Sequence, residues 1–149
     1  MNDKMIGRAM EILLVEDSLM DAHVAMRAIR DGQIKHRLTL VVDGNEAIEF
    51  LHRDGKFARA PRPDMILLDL HLPGRDGLDV LAEIRSDPDL QRTPVVILTA
   101  TGDHDAKNRC EHLRVDAFMA KPVNLRKFLD VVREIKRWML EDVILPVTE

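Results

Sequence analysis

Four short apolar runs in this chain stop abruptly in polar side chains, and that pattern constrains the fold more than any other feature. Ile12 to Val15 runs into Glu16 and Asp17, Met65 to Leu68 into Asp69, Val95 to Leu98 into Thr99, and Ala117 to Ala120 into Lys121. Apolar runs of this length without alternation suit strands buried on both faces, the condition of a parallel sheet covered by helices. A fifth strand is expected over Leu38 to Val42, broken by Asp43-Gly44.

The segments between the runs read as helices and connections. Ser18 is placed to cap the first helix, with Asp21 three positions on completing a capping box and Ala22, Ala25, Met26 and Ile29 on the inner face. Asp31-Gly32 stops it. A second helix carries Ala47, Ile48, Phe50 and Leu51, followed by a polar stretch from His52 to Asp64 that contains Pro61 and Pro63. The loop Leu70 to Gly77 leads into a helix over Leu78 to Arg85, and a more polar helix is expected over Asp105 to Leu113. Asn124 is placed to cap the last helix, where Leu125, Phe128, Leu129, Val132, Ile135 and Met139 recur at three and four residues.

Five strands alternating with five helices predict an α/β fold, a doubly wound five-stranded parallel sheet. The flavodoxin-like strand order 2-1-3-4-5 suits a chain of 149 residues, expected as one domain over 11–140 with an extension at 1–10 and a tail at 141–149. Acidic side chains outnumber basic ones by 26 to 22, which argues against a general nucleic-acid-coating role, and 46% apolar residues argue against disorder. The single cysteine, Cys110, excludes an internal disulfide framework and suits a reducing compartment. No apolar run approaches the roughly 18 residues that cross a bilayer, so a soluble cytoplasmic protein without membrane partners is expected.

In this strand order β-strands 1 and 3 are neighbours at the reversal point, beyond whose carboxyl ends ligands bind. Glu16 and Asp17 should therefore face Asp69. One such acid alone reads as a solvated turn residue; three converging on Lys121 leave a local charge that a divalent cation cancels. Carboxylate oxygens with a loop carbonyl suit Mg²⁺, or Mn²⁺ in its place. Asp69 is then central enough to act as nucleophile toward a phosphoryl group, with Lys121 and the Thr99 hydroxyl engaging its oxygens.

The segments ILLVEDS at 12–18, ILLDLHLPGRDG at 66–77, VVILTA at 95–100 and AKP at 120–122 resemble, in this order, the receiver domain of bacterial two-component response regulators. The resemblance spans about Glu11 to Leu140. It implies that Asp69 is the phospho-acceptor, that Glu16 and Asp17 serve Mg²⁺, and that His71 supplies a backbone carbonyl to the metal. It also implies a switch hydroxyl at Thr99, its salt-bridging partner at Lys121, and a cis Lys121-Pro122 bond. The aromatic switch position, often tyrosine in the family, is Phe118 here and lacks the hydroxyl hydrogen bond. A receiver of this kind takes its phosphoryl group from a sensor histidine kinase, catalysing its own phosphorylation and slow dephosphorylation.

The residues after the last helix are too few for a helix-turn-helix module, so the expected output is protein contact rather than DNA. The long Arg53 to Arg62 connection and the tail resemble the stand-alone regulators paired with bacterial phytochromes, which implies a bacteriophytochrome kinase as partner and a homodimer. Trp138, with Val131, forms a second apolar stripe on the final helix and is the interface candidate. His23, His36, His52, His104 and His112 have no catalytic spacing, and Cys110 reads as a packing residue. Two other readings stand beside this one: a phosphorylation-independent protein-binding module, and a flavodoxin or P-loop enzyme. The second lacks a GxxxxGK phosphate cradle and any tyrosine.

Overall fold

The structure, a computed structural model, describes residues 8–100 and 105–136. Its elements are β1 (Met10–Val15), α1 (Leu19–Asp31), β2 (His36–Val41), α2 (Gly44–His52), β3 (Met65–Asp69), α3 (Gly77–Ser86), β4 (Val95–Thr99), α4 (Ala106–Arg109), β5 (Ala117–Ala120) and α5 (Leu125–Lys136). All neighbouring strands are parallel and the order is β2-β1-β3-β4-β5, as the alternation of runs and helices predicts.

Strand parity divides the core between the two faces of the sheet. Ile12 and Leu14 of β1, Met65 and Leu67 of β3, and Val96 and Leu98 of β4 pack with α1 and α5 through Ala22, Ile29, Phe128 and Val132. Leu13, Ile66, Leu68, Val95 and Ile97 face the other way, onto Phe50 and Leu51 of α2, Val80, Leu81 and Ile84 of α3, and Ala106 of α4. Burial on both faces explains why these strands read as unbroken apolar runs.

Three local outcomes differ from expectation. The β2 strand begins at His36 rather than Leu38, because its ladder with β1 runs from Met10 opposite His36 and backbone pairing recruits polar residues that hydropathy leaves out. The helix expected over Asp105 to Leu113 is only Ala106–Arg109. There the Cys110 amide is shared between the Ala106 and Lys107 carbonyls, which tightens the last turn and ends the ladder. Cys110 is buried in the core cluster on the α2/α3 face of the sheet, as a packing residue would be. The polar connection after α2 also contains a 3-10 turn, Gly55–Phe57, which sets the Phe57 ring edge-on to Phe50 at 5.3 Å between centroids.

At the end of the sheet away from these polar strand termini, Arg85 of α3 joins several segments. Its guanidinium donates to the carbonyls of Gln91, Thr93 and Arg114 and to the Asp116 carboxylate, which in turn accepts from the Val95 amide. One side chain, 9% exposed, thereby fixes the entries to β4 and β5.

Candidate functional site

The carboxyl ends of β1, β3 and β5 bring Glu16, Asp69 and Lys121 together. Glu16 shares the parity of Ile12 and Leu14, Asp69 that of Leu67, and Lys121 that of Met119, so all three belong to the α1/α5 side of the sheet. The Lys121 ammonium lies 2.6 Å from Asp69 Oδ2 and 2.9 Å from Glu16 Oε1. It also reaches Asp21 Oδ2 on α1, at 3.3 Å. The Lys121-Pro122 bond that follows is cis, as expected.

Backbone amides orient the two buried acids. His71 N–H donates to Asp69 Oδ1 at 2.9 Å, and Ser18 N–H donates to Glu16 Oε2 at 3.1 Å. Asp69 therefore presents one oxygen to the loop backbone and the other to Lys121. Glu16 is 1% exposed, and its Oε1 is buried without an aligned hydrogen bond although the ammonium is close. Burial pushes the Glu16 carboxyl above its ordinary pKa, with Lys121 and the Ser18 amide pulling the other way. Burial works against the Lys121 charge, but the hydrogen bond to Asp69 and the negative charges of Asp69 and Glu16 outweigh it and hold the ammonium above the usual lysine range.

Carboxylate oxygens of Glu16, Asp17 and Asp69 all lie within 4.8 Å of one another. Asp17 is exposed, whereas its two neighbours are buried, so the cluster opens toward solvent on one side. A buried carboxylate oxygen lacking an aligned donor, among three hard oxygen donors, fits a divalent cation of the Mg²⁺ or Mn²⁺ type. The residues present can hold such an ion.

The loop after Asp69 is clamped by two glycines. Gly77 N–H donates to the Leu70 carbonyl at 3.0 Å, and a Cβ at Gly77 would lie 2.5 Å from Leu70 Cα and closer still to the Asp69 carbonyl oxygen. Gly44 N–H donates to the Pro73 carbonyl at 3.2 Å, where a side chain would run into the Arg75 carbonyl. Both glycines are selected by space rather than by a left-handed backbone.

Thr99 and Phe118 belong to the opposite side of the sheet. Thr99 shares the parity of Val95 and Ile97, and Phe118, paired with Ile97, is half-buried against the α3/α4 cluster. Lys107 of α4 places its ammonium 5.6 Å from the centre of the Phe118 ring. The Thr99 carbonyl accepts from the Lys121 amide at 2.7 Å, which joins the two sides through the backbone.

The remaining candidates divide. His71 contributes its amide here and its side chain is exposed. Val131, expected on an outward stripe, is half-buried against the α1/α5 core, and Trp138 lies outside the described residues, as does His104. Sequence reasoning missed Asp21 as a member of the cluster, because three positions after a capping serine it reads as the second half of a capping box. The Ser18 side chain does accept from Asp21 N–H, at 3.2 Å. The reciprocal bond is replaced, since Ser18 N–H goes to Glu16 and the Asp21 carboxylate turns to Lys121. With Asp21 included, the cluster is one charge more negative than the sequence implied.

Residues 12–133 match the response regulator receiver domain family. The chain is 42% identical over 135 residues to Response regulator Rcp1 of Synechocystis sp., covering 91% of this chain and 92% of that protein. Among solved structures it is similar to the Mn²⁺-bound form of Rcp1, with 40% identity and a TM-score of 0.72, covering 93% of this chain and 99% of the other. The phosphorylated cyanobacterial phytochrome response regulator RcpA is similar at 39% identity and a TM-score of 0.74, again over 93% of this chain and 99% of the other.

Proposed function

Because the chain belongs to the response regulator receiver domain family, we propose that it is a phosphorelay switch whose acceptor is Asp69. The carrying observation is the placement of this carboxylate: almost buried at the end of the central strand, 2.6 Å from Lys121 and within the Glu16-Asp17-Asp69 oxygen cluster. A phosphohistidine of a sensor histidine kinase, or a small acyl phosphate, is the donor. An oxygen of Asp69 forms the new bond to phosphorus as the bond from phosphorus to the donor nitrogen or oxygen breaks, and the donor leaves with that electron pair.

Each residue contributes a definite part. The His71 amide fixes the Asp69 carboxylate through Oδ1. Lys121 transfers its charge from the free carboxylate to the phosphoryl oxygens, and Thr99 offers them a hydroxyl from the β4 end. A divalent cation held by Glu16, Asp17, Asp69 and the His71 carbonyl would neutralise and orient the phosphoryl oxygens. The signal then passes through Thr99 to Phe118, whose ring, lacking a hydroxyl, is held by packing and by the Lys107 charge.

The likeness to RcpA, a cyanobacterial phytochrome response regulator, over nearly its whole length supports a phytochrome-type histidine kinase as partner, and we assign the output to protein contacts. We assign the receiver to residues 11–140, with 1–10 and 141–149 flanking it, a cytoplasmic location, and a homodimer in which Trp138 is an interface residue. Among the described residues no helix is long and apolar enough to cross a membrane.

The test is the intact mass of the protein after incubation with Mg²⁺ and acetyl phosphate. One added phosphoryl group, absent without Mg²⁺ and absent from Asp69→Asn, is expected. An adduct that persists in Asp69→Asn overturns the assignment of the acceptor. No adduct from acetyl phosphate or from any of a panel of histidine kinases favours a phosphorylation-independent binding module.

A further inference from the structure

The Asp21 carboxylate has no part in the acceptor chemistry, yet it competes for the same ammonium. Its Oδ2 lies 3.3 Å from Lys121 Nζ, against 2.9 Å for Glu16 and 2.6 Å for Asp69. An ammonium carries three N–H donors, and three carboxylates converge on this one. Their surroundings differ: the Glu16 and Asp69 side chains are 1% and 6% exposed, whereas that of Asp21 is 43% exposed. Asp21 is also free of the local bond that would otherwise tie it down, because Ser18 N–H is already taken by Glu16.

We propose that Asp21 is a positioning residue that acts through Lys121, a competing anion on α1 that restrains the ammonium from the incoming phosphoryl group. The inference rests on the reading of Asp69 as acceptor. As the phosphoryl dianion approaches, Lys121 must redistribute among its anions, and Asp21 both retains part of its charge and repels the donor. A carboxylate this exposed acts weakly, because water and salt screen it. A pair of this kind alters an equilibrium or rate by about two- to five-fold.

The experiment compares initial rates of phosphorylation by acetyl phosphate with saturating Mg²⁺, followed by intact mass, in the parent, Asp21→Asn and Asp21→Glu. Asp21→Asn is expected to be about two- to five-fold faster at low salt. That ratio should shrink toward one near 1 M salt, where the screening length is about 3 Å. Asp21→Glu retains the charge and should stay near the parent, and melting temperatures check that α1 is intact. A rate for Asp21→Asn equal to or below the parent overturns the proposal. So does a gain that survives high salt or also occurs in Asp21→Glu, since either would mark a structural effect of the side chain. If the parent takes no phosphoryl group at all, the acceptor assignment falls and this inference with it; if the parent is phosphorylated and Asp21→Asn is no faster, only the inference falls.

Discussion

Replacing Gly77 by alanine adds one methyl group to the protein, and the structure places that methyl against the backbone that carries Asp69. The new Cβ would lie 2.5 Å from Leu70 Cα and 2.9 Å from the Leu70 carbonyl carbon, where ordinary contact begins at 3.4 Å. Neither neighbour is the end of a flexible side chain. The Asp69-Leu70 backbone or the start of α3 must therefore give way by about 1 Å. Overpacking of this kind costs about 1–3 kcal/mol, or a melting temperature lower by roughly 3–10 °C. The larger effect should be on chemistry. Asp69 is placed by a hydrogen bond of 2.9 Å from the His71 amide and an ion pair of 2.6 Å, and a misplacement of about 1 Å in reacting groups costs on the order of 10²-fold in rate. The assay is the initial rate of Mg²⁺-dependent phosphorylation by acetyl phosphate, read by intact mass at a temperature where the variant is folded. Gly32→Ala is the control, since the nearest atom to its Cβ is the end of the Leu125 side chain, which can rotate away. A folded Gly77→Ala protein phosphorylated within two-fold of the parent would refute the argument that this glycine sets the position of Asp69.

Arg85→Met should destabilise the protein by about 3–5 kcal/mol in urea unfolding, because it strands a partly buried carboxylate and three carbonyls, and Arg85→Lys should recover only part of that loss. A cost below about 1 kcal/mol would show that water replaces the guanidinium freely. Glu16 has a folded pKa raised above its ordinary 4.5, so the stability it contributes is full below that value and is lost as the pH rises through the raised one. In the presence of chelator, the stability of Glu16→Gln relative to the parent should therefore increase as the pH is raised above the ordinary 4.5. A flat difference would mean that Lys121 compensates fully for the burial of this carboxylate.

Much of the fold is legible in the chain because parallel strands buried on both faces must be written as apolar runs. The runs at Ile12, Met65 and Val95 needed no structure to be recognised, and the polar side chains ending them marked one edge of one sheet. The short α4 was less legible, since polar residues in Asp105 to Leu113 satisfy a helical pattern whether or not the backbone continues as a helix. Cys110 ends the ladder by sharing its amide between two carbonyls, a matter of local geometry. Asp21 is less legible for a related reason: an acid three residues after a serine has two possible partners, and only one of them is nearby in sequence.

The sequence by itself determined the strand order expected of the chain, the gathering of Glu16, Asp17, Asp69 and Lys121, and the membership of the family, because all of these follow from residue types and their order along the chain. The tertiary structure alone decided that Lys121 is shared with Asp21, that Lys107 lies over Phe118, and that Gly77 and Gly44 leave no room for a side chain. Those contacts join residues from different elements across distances of a few ångströms. Periodicity and spacing describe one element at a time, whereas such contacts depend on how the elements are set against each other.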